Sequence, residues 1–307
     1  MLYVLVIGAL VCLTVKGYCG KRLSCFVRGT EDTYIFNFLR LIFCVFIGLA
    51  LVFIEGAQSF LAIEGRMLVI CILSGISNAA FLVCWMLAIR MNAMVSVDVG
   101  LTLGSLLPSV LCLILFSEPM SPLKMIGFAL IVAATFILGC GDHRADKKSI
   151  VGVVYLLLAA LGDGMSGFAQ QLYKQYYTDA GSLTGDVLYP KTIYHFYTYV
   201  FAALALLIAI AAYLAVSKSR SAVPRADSDD KKERQCIVLP PRAVLHIFIM
   251  AACLFAANYL QTAATNDYGM SSQMLYPIIK GGCLVTVNFT AMMFFGEPIP
   301  AEALQAH

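Results

Sequence analysis

Three ionisable residues stand inside apolar runs of this chain, at Asp98, Asp163 and Lys280, in the stretches "SVDVGLTLGSLLP", "AALGDGMSG" and "LYPIIKGG". A charged group in hydrocarbon is costly, and by default it marks a substrate or ion pathway. A lysine brought against one of these acids could hold an ion pair, or it could meet an anionic group of a substrate. The polar neighbours are in register with the charges. Asp98, Thr102, Ser105 and Ser109 recur at helical spacing and share one face. Asp163, Ser166, Gln170 and Lys174 do the same, as do Gln273, Lys280 and Asn288, with Tyr276 and Pro277 between the first two. Two further stripes are Ser74, Ser77, Asn78 and Trp85, and Asn258, Gln261, Thr262 and Thr265. The candidate substrate-binding and coupling set is therefore Asp98, Asp163, Lys280, Asn78, Asn258, Gln273, Tyr276 and Thr102. For the neutral members, hydrogen bonding between helices is the competing explanation.

Backbone-breaking residues cluster beside the charges. Gly100 and Gly104 precede Pro108, Gly162, Gly164 and Gly167 surround Asp163, and Pro277 with Gly281 and Gly282 brackets Lys280. Small residues let helices approach closely, and interrupted helices are where transporters bind substrate. Other chemistry finds little support. His143, His195, His246 and His307 are dispersed, and the eleven cysteines are scattered without a CxxC pair. No metal, cofactor or enzymatic activity is expected, and no GxxxxGK[ST] motif points to an ATP motor. "YHFYTYV" reads first as an interfacial aromatic belt of Tyr194, His195, Tyr197 and Tyr199. The other reading turns Tyr194, His195 and Thr198 inward. Arg40 is expected to snorkel to the interface, and Glu118 and Glu297 to cap helix ends.

The elements that must position these residues are membrane helices. Of the 307 residues, 61% are hydrophobic and 13% charged, with a mean hydropathy of +0.85, whereas soluble domains carry about 25% charged residues. Apolar runs at 2–20, 34–54, 67–89, 94–116, 122–140, 150–172, 191–216, 243–264 and 271–295 predict nine spans. The first has no basic residue ahead of it and leads into further spans, so it reads as a helix rather than a signal peptide. The charged segment 217–242 reads as a flexible loop. "LFSEP" at 115–119 and "FFGEP" at 294–298 close matching runs, and "LYVLVIGAL" at Leu2 resembles "VYLLLAALG" at Val154. Two copies of one five-helix unit follow, and an odd number of helices per unit inverts the second copy in the membrane.

The residues "FSEPMSPLKMIGFALIVAATFIL", "YPIIKGG" with "FFGEPI", and Arg40 in "FNFLRLIF" carry a resemblance to the drug/metabolite transporter superfamily, specifically its EamA-like members. The resemblance covers nearly the whole chain. It implies an all-α polytopic membrane protein of ten helices as an inverted five-plus-five repeat. Residues 1–141 would be the first repeat, 142–149 the connecting loop and 150–307 the second repeat. The tenth helix has no counterpart here, so the sequence reads as C-terminally truncated. An apolar groove is then expected beside the eighth and ninth spans, and poor stability with it. The implied function is secondary transport of a small polar metabolite (an amino acid, sugar or nucleotide derivative) by alternating access. A non-transporting scaffold or sensor is the alternative. Expected partners are a small-molecule substrate and the lipid bilayer, with coupling to a proton or counter-ion open to Asp98 or Asp163, and no nucleic acid. The expected location is a bacterial cell membrane. Fourteen lysines and arginines in the odd-numbered loops against four in the even ones place the odd loops in the cytoplasm and the N-terminus outside.

Overall fold

The computed structural model describes residues 1–27, 29–56, 63–91, 94–116, 150–182, 190–221 and 240–296, with isolated positions between 122 and 133. Every regular element among the described residues is a helix. In chain order these are α1 (Leu2–Ser24), α2 (Thr30–Ile54), α3 (Gly65–Met91), α4 (Met94–Gly104), α5 (Leu106–Phe116), α6 (Ile150–Ser182), α7 (Lys191–Ser221), α8 (Pro241–Asn266) and α9 (Ser272–Phe295). Seven of them are long and apolar enough to cross a membrane. The chain is thus an all-α integral membrane protein. The predicted span at 122–140, most of the charged segment at 217–242 and residues 297–307 lie outside the described residues.

The run at 94–116 is predicted as one helix and is found as two, α4 and α5, separated by a turn at Ser105. The cause is Pro108. Its ring nitrogen has no proton to give the carbonyl four residues earlier, and that carbonyl belongs to Gly104, the last residue of α4. The other ends also follow from local chemistry. Asp32 accepts a hydrogen bond from the Gly29 backbone N–H at 3.2 Å and, with Glu31, places negative charge at the start of α2. Pro240 and Pro241 open α8, where a missing N–H does no harm. Gly296 ends α9 in the left-handed region at φ 62°, a conformation that favours glycine.

Helix α3 is central, packed on α6 and α7. Helix α1 lies against α8 and α9, α2 against α7 and α8, and the α4–α5 pair against α6 and α9. The largest core cluster joins Leu82, Trp85 and Met86 of α3 to Leu41 of α2, Tyr199 of α7 and Phe255 of α8. Outward positions such as Val4, Phe46, Val69, Ile208 and Val285 are exposed and apolar, as a lipid-facing surface requires. Lipid removes the hydrophobic drive between helices, so close backbone packing must hold them together. Gly104 supplies it, since a Cβ there would collide with the Ala160 carbonyl. At Gly162 a Cβ would fall 2.8 Å from the Phe81 nitrogen and 2.9 Å from the Ser77 oxygen of α3.

Two expectations are corrected. Arg40 does not snorkel: it is 1% exposed, its guanidinium lies 5.6 Å from the Trp85 ring centroid, and its Nη2 donates to Asn37 Oδ1 at 2.5 Å. Ten residues separate it from the start of α2, about 15 Å of helical rise, beyond the reach of the side chain. Nor do Tyr194, His195 and Tyr199 form a belt. All three are buried where α7 meets α2, α3 and α8. Tyr194 stacks on Tyr173 with centroids 4.4 Å apart, and His195 Nε2 lies 3.1 Å from Thr262 Oγ1. Tyr197 alone of the group is half-buried.

Candidate functional site

Glycines set the position of Asp163. Gly162 lets α6 meet the α3 backbone, and Gly164 lets it meet the broken end of α4, where a Cβ would fall 2.5 Å from the Gly104 oxygen. Asp163, between them, is held against the bundle interior rather than lipid. On α9, Pro277 interrupts the hydrogen-bond ladder three residues before Lys280. The two charges meet: Lys280 Nζ donates to Asp163 Oδ2 at 2.5 Å, and their side chains are 16% and 17% exposed.

The pair borders a cavity of about 30 Å³ enclosed by α1, α3, α6, α8, α9 and the α4–α5 turn. Asn78, Asn258 and Tyr276 line the same space. Asn78 Nδ2 donates to Ser166 Oγ at 2.8 Å and to the Ser74 carbonyl at 3.0 Å, and Asn258 Nδ2 donates to Tyr199 Oη at 2.9 Å. Tyr276 Oη is 2.7 Å from the Gly167 carbonyl and 3.0 Å from Gln170 Oε1, and it accepts from Gln171 Nε2 at 3.3 Å. These bonds fix the amides and the phenol in place. A second cavity of about 30 Å³ adjoins the first and shares Leu13, Lys16, Phe81 and Lys280 with it. Thr102 and Trp85 line this second space.

Of the eight predicted residues, the structure brings Asp163, Lys280, Asn78, Asn258 and Tyr276 into one cavity and Thr102 into its neighbour. Asp98 lies on α4 and Gln273 on α9, but their side chains lie outside the described residues. The sequence reading missed Lys16. It is 7% exposed, lines both cavities, and places its Nζ 5.0 Å from the Phe81 centroid and 5.1 Å from that of Trp85. A count would have found it. Three of the 21 lysines and arginines, Lys16, Arg40 and Lys280, lie well inside the predicted apolar runs. Lys16 comes shortly before Lys21 and Arg22 and so looks like part of the basic end of α1.

A space of this size holds about two water molecules, far from the roughly 300 Å³ or more of a metabolite site. The site is narrow around its ion pair, whose two side chains stay partly accessible. Among the described residues no group of three or more His, Cys, Asp or Glu could hold a metal ion. Binding and ion-pair exchange are the chemistry this arrangement supports. Profiles of known protein families give no match to the chain, and no curated protein resembles it.

Proposed function

We propose that this chain is a secondary carrier for a small polar metabolite, built as an EamA-like inverted repeat and working by alternating access. The observation that carries the reading is the Asp163–Lys280 pair, lodged in a narrow polar cavity between helices from both halves of the chain. Helix packing supports the repeat. If α1, α2, α3 and the α4–α5 pair correspond to α6, α7, α8 and α9, each main partnership has a counterpart under the exchange. The α3–α6 contact answers α1–α8, α3–α7 answers α2–α8, and α6 on the α4–α5 pair answers α1 on α9. The α2–α7 contact maps onto itself, as does α9 on the α4–α5 pair. Such a bundle lets one half rock against the other around a fixed site.

One end of the bundle is latched. Lys191 at the start of α7 pairs with Asp267 beyond α8 at 2.5 Å, Tyr176 of α6 donates to Glu64 at 2.6 Å, and Thr192 donates to Glu55. By the distribution of basic residues this is the extracytoplasmic end. Opening it would admit substrate to the ion pair, and closing it would commit the load to the other side. The proposal is tested by solute uptake and counterflow in proteoliposomes. Transport by the wild-type chain and loss of it in Lys280→Ala are expected. A Lys280→Ala protein that transports at the wild-type rate would remove the ion pair from the mechanism.

A further inference from the structure

Membrane-embedded charge is unbalanced in this chain. Away from their ends, the apolar runs hold Lys16, Arg40 and Lys280 against two acids, Asp98 and Asp163. Three cations against two acids leave a surplus of positive charge in these runs. Lys280 holds Asp163. Arg40 is buried with Nε and Nη1 lacking hydrogen-bond partners among the described residues, and its contacts are Asn37 and the Trp85 ring. Lys16 is more than nine-tenths buried, borders both cavities, and meets the rings of Phe81 and Trp85 but no carboxylate among the described residues. An aromatic ring answers part of an ammonium's charge and none of its hydrogen-bond geometry. Among the described residues no oxygen accepts from Lys16, whose three N–H donors border a polar cavity.

We propose that Lys16 receives the anionic head of the transported solute, and that the substrate class is a small organic anion carrying a carboxylate or phosphate on a hydrogen-bonding body. The proposal rests on the carrier reading and gives its site a charge preference. The chemistry of the lining suits that class, and the bundle must open to admit it. Lys16 and Lys280 both face it, so an entering anion lies between two ammonium groups and can compete with Asp163 for the second. Neutral donors and acceptors, Asn78, Gln261 and Asn258 among them, line the remainder and suit hydroxyl or amide groups on the body of the solute. A cationic solute would meet two like charges there.

The test uses the full chain in nanodiscs of uncharged lipid, with thermal unfolding followed for matched probes. Glycerol 3-phosphate is set against glycerol, a pair differing by the phosphate group, and succinate against succinamide, a pair differing chiefly in charge. Stabilisation by at least one of the anions, not by its neutral partner, is expected. Lys16→Gln should weaken the apparent affinity by about tenfold or more, the loss of a charge-assisted hydrogen bond, and Lys16→Arg should retain it. The wild-type comparison stands even if a variant fails to fold. Equal stabilisation by charged and neutral partners, a flat response to both anions, or full retention of the anion effect in Lys16→Gln overturns the assignment. If anion stabilisation depends on Lys16 but nothing is transported, the carrier reading falls and the anion site remains. Uptake of a neutral solute untouched by anions leaves the carrier and removes the site.

Discussion

Removing one half of the Asp163–Lys280 pair leaves a charge in a cavity too small to hydrate it. Breaking a buried pair in this way costs on the order of 3 kcal/mol, less what a water or two in the cavity recovers. Asp163→Asn and Lys280→Met should each lower stability by an amount of that order. The double variant should fall well short of the sum, because neither charge is then stranded. Thermal unfolding in detergent across the double-mutant cycle measures the coupling, and additive effects would mean that the two groups do not share their charge in the membrane. Trp85 makes a separate case at the same scale. It is 2% exposed, touches the Lys16 and Arg40 cations on its ring, and leaves no room for a Cβ at Gly20. Trp85→Ala should destabilise by about 3–5 kcal/mol, and its loss should also change the anion preference. Trp85→Phe should recover part of both.

At the scale of elements, the contact between α4 and α6 depends on glycine. Gly104→Ala places a methyl group against the Ala160 backbone, which cannot rotate away as a side chain could. A loss of about 1–3 kcal/mol is expected, the usual penalty for overpacking. Gly281→Ala is the opposite case. Nothing lies within 4 Å of its added Cβ, so a gain of up to about 1 kcal/mol in helix propensity should appear. Equal effects at both sites would contradict this account of the packing. Seven of the nine predicted spans were legible in the sequence, because membrane spans announce their length and composition. The two-piece span was half legible: Pro108 and the glycines were visible, but a proline bends one helix and breaks another according to its neighbours, and α6 supplies the neighbour here. The stripes located Asp163, Lys280, Asn78, Asn258 and Tyr276, since an apolar run makes every polar residue conspicuous. Arg40 was misplaced because α2 begins at Thr30, a turn before the predicted run at 34, which puts the residue too deep to reach the interface. The α7 aromatics were misplaced because which face meets another helix depends on packing between segments far apart in sequence. Lys16 was masked by the basic residues that follow it.

At the scale of the whole molecule, the carrier reading needs the two ends of the bundle to open in turn. The Lys191–Asp267 bridge is partly exposed, with side chains 18% and 42% accessible, and such pairs contribute about 0–1 kcal/mol. Lys191→Ala should therefore leave unfolding nearly unchanged while shifting the balance between states that are open and closed at that end. Exchanging the two charges, as Lys191→Asp with Asp267→Lys, should restore the balance. The most direct test of the central claim locks this end shut. Cysteines replacing Lys191 and Asp267 are joined by a short reversible bis-thiosulfonate bridge, and solute counterflow is followed in proteoliposomes, with the unmodified chain treated alike to control for its native cysteines. The account expects counterflow to stop when the bridge forms and to return when it is reduced. Counterflow that continues at the unbridged rate, with the bridge shown to be complete, would contradict it.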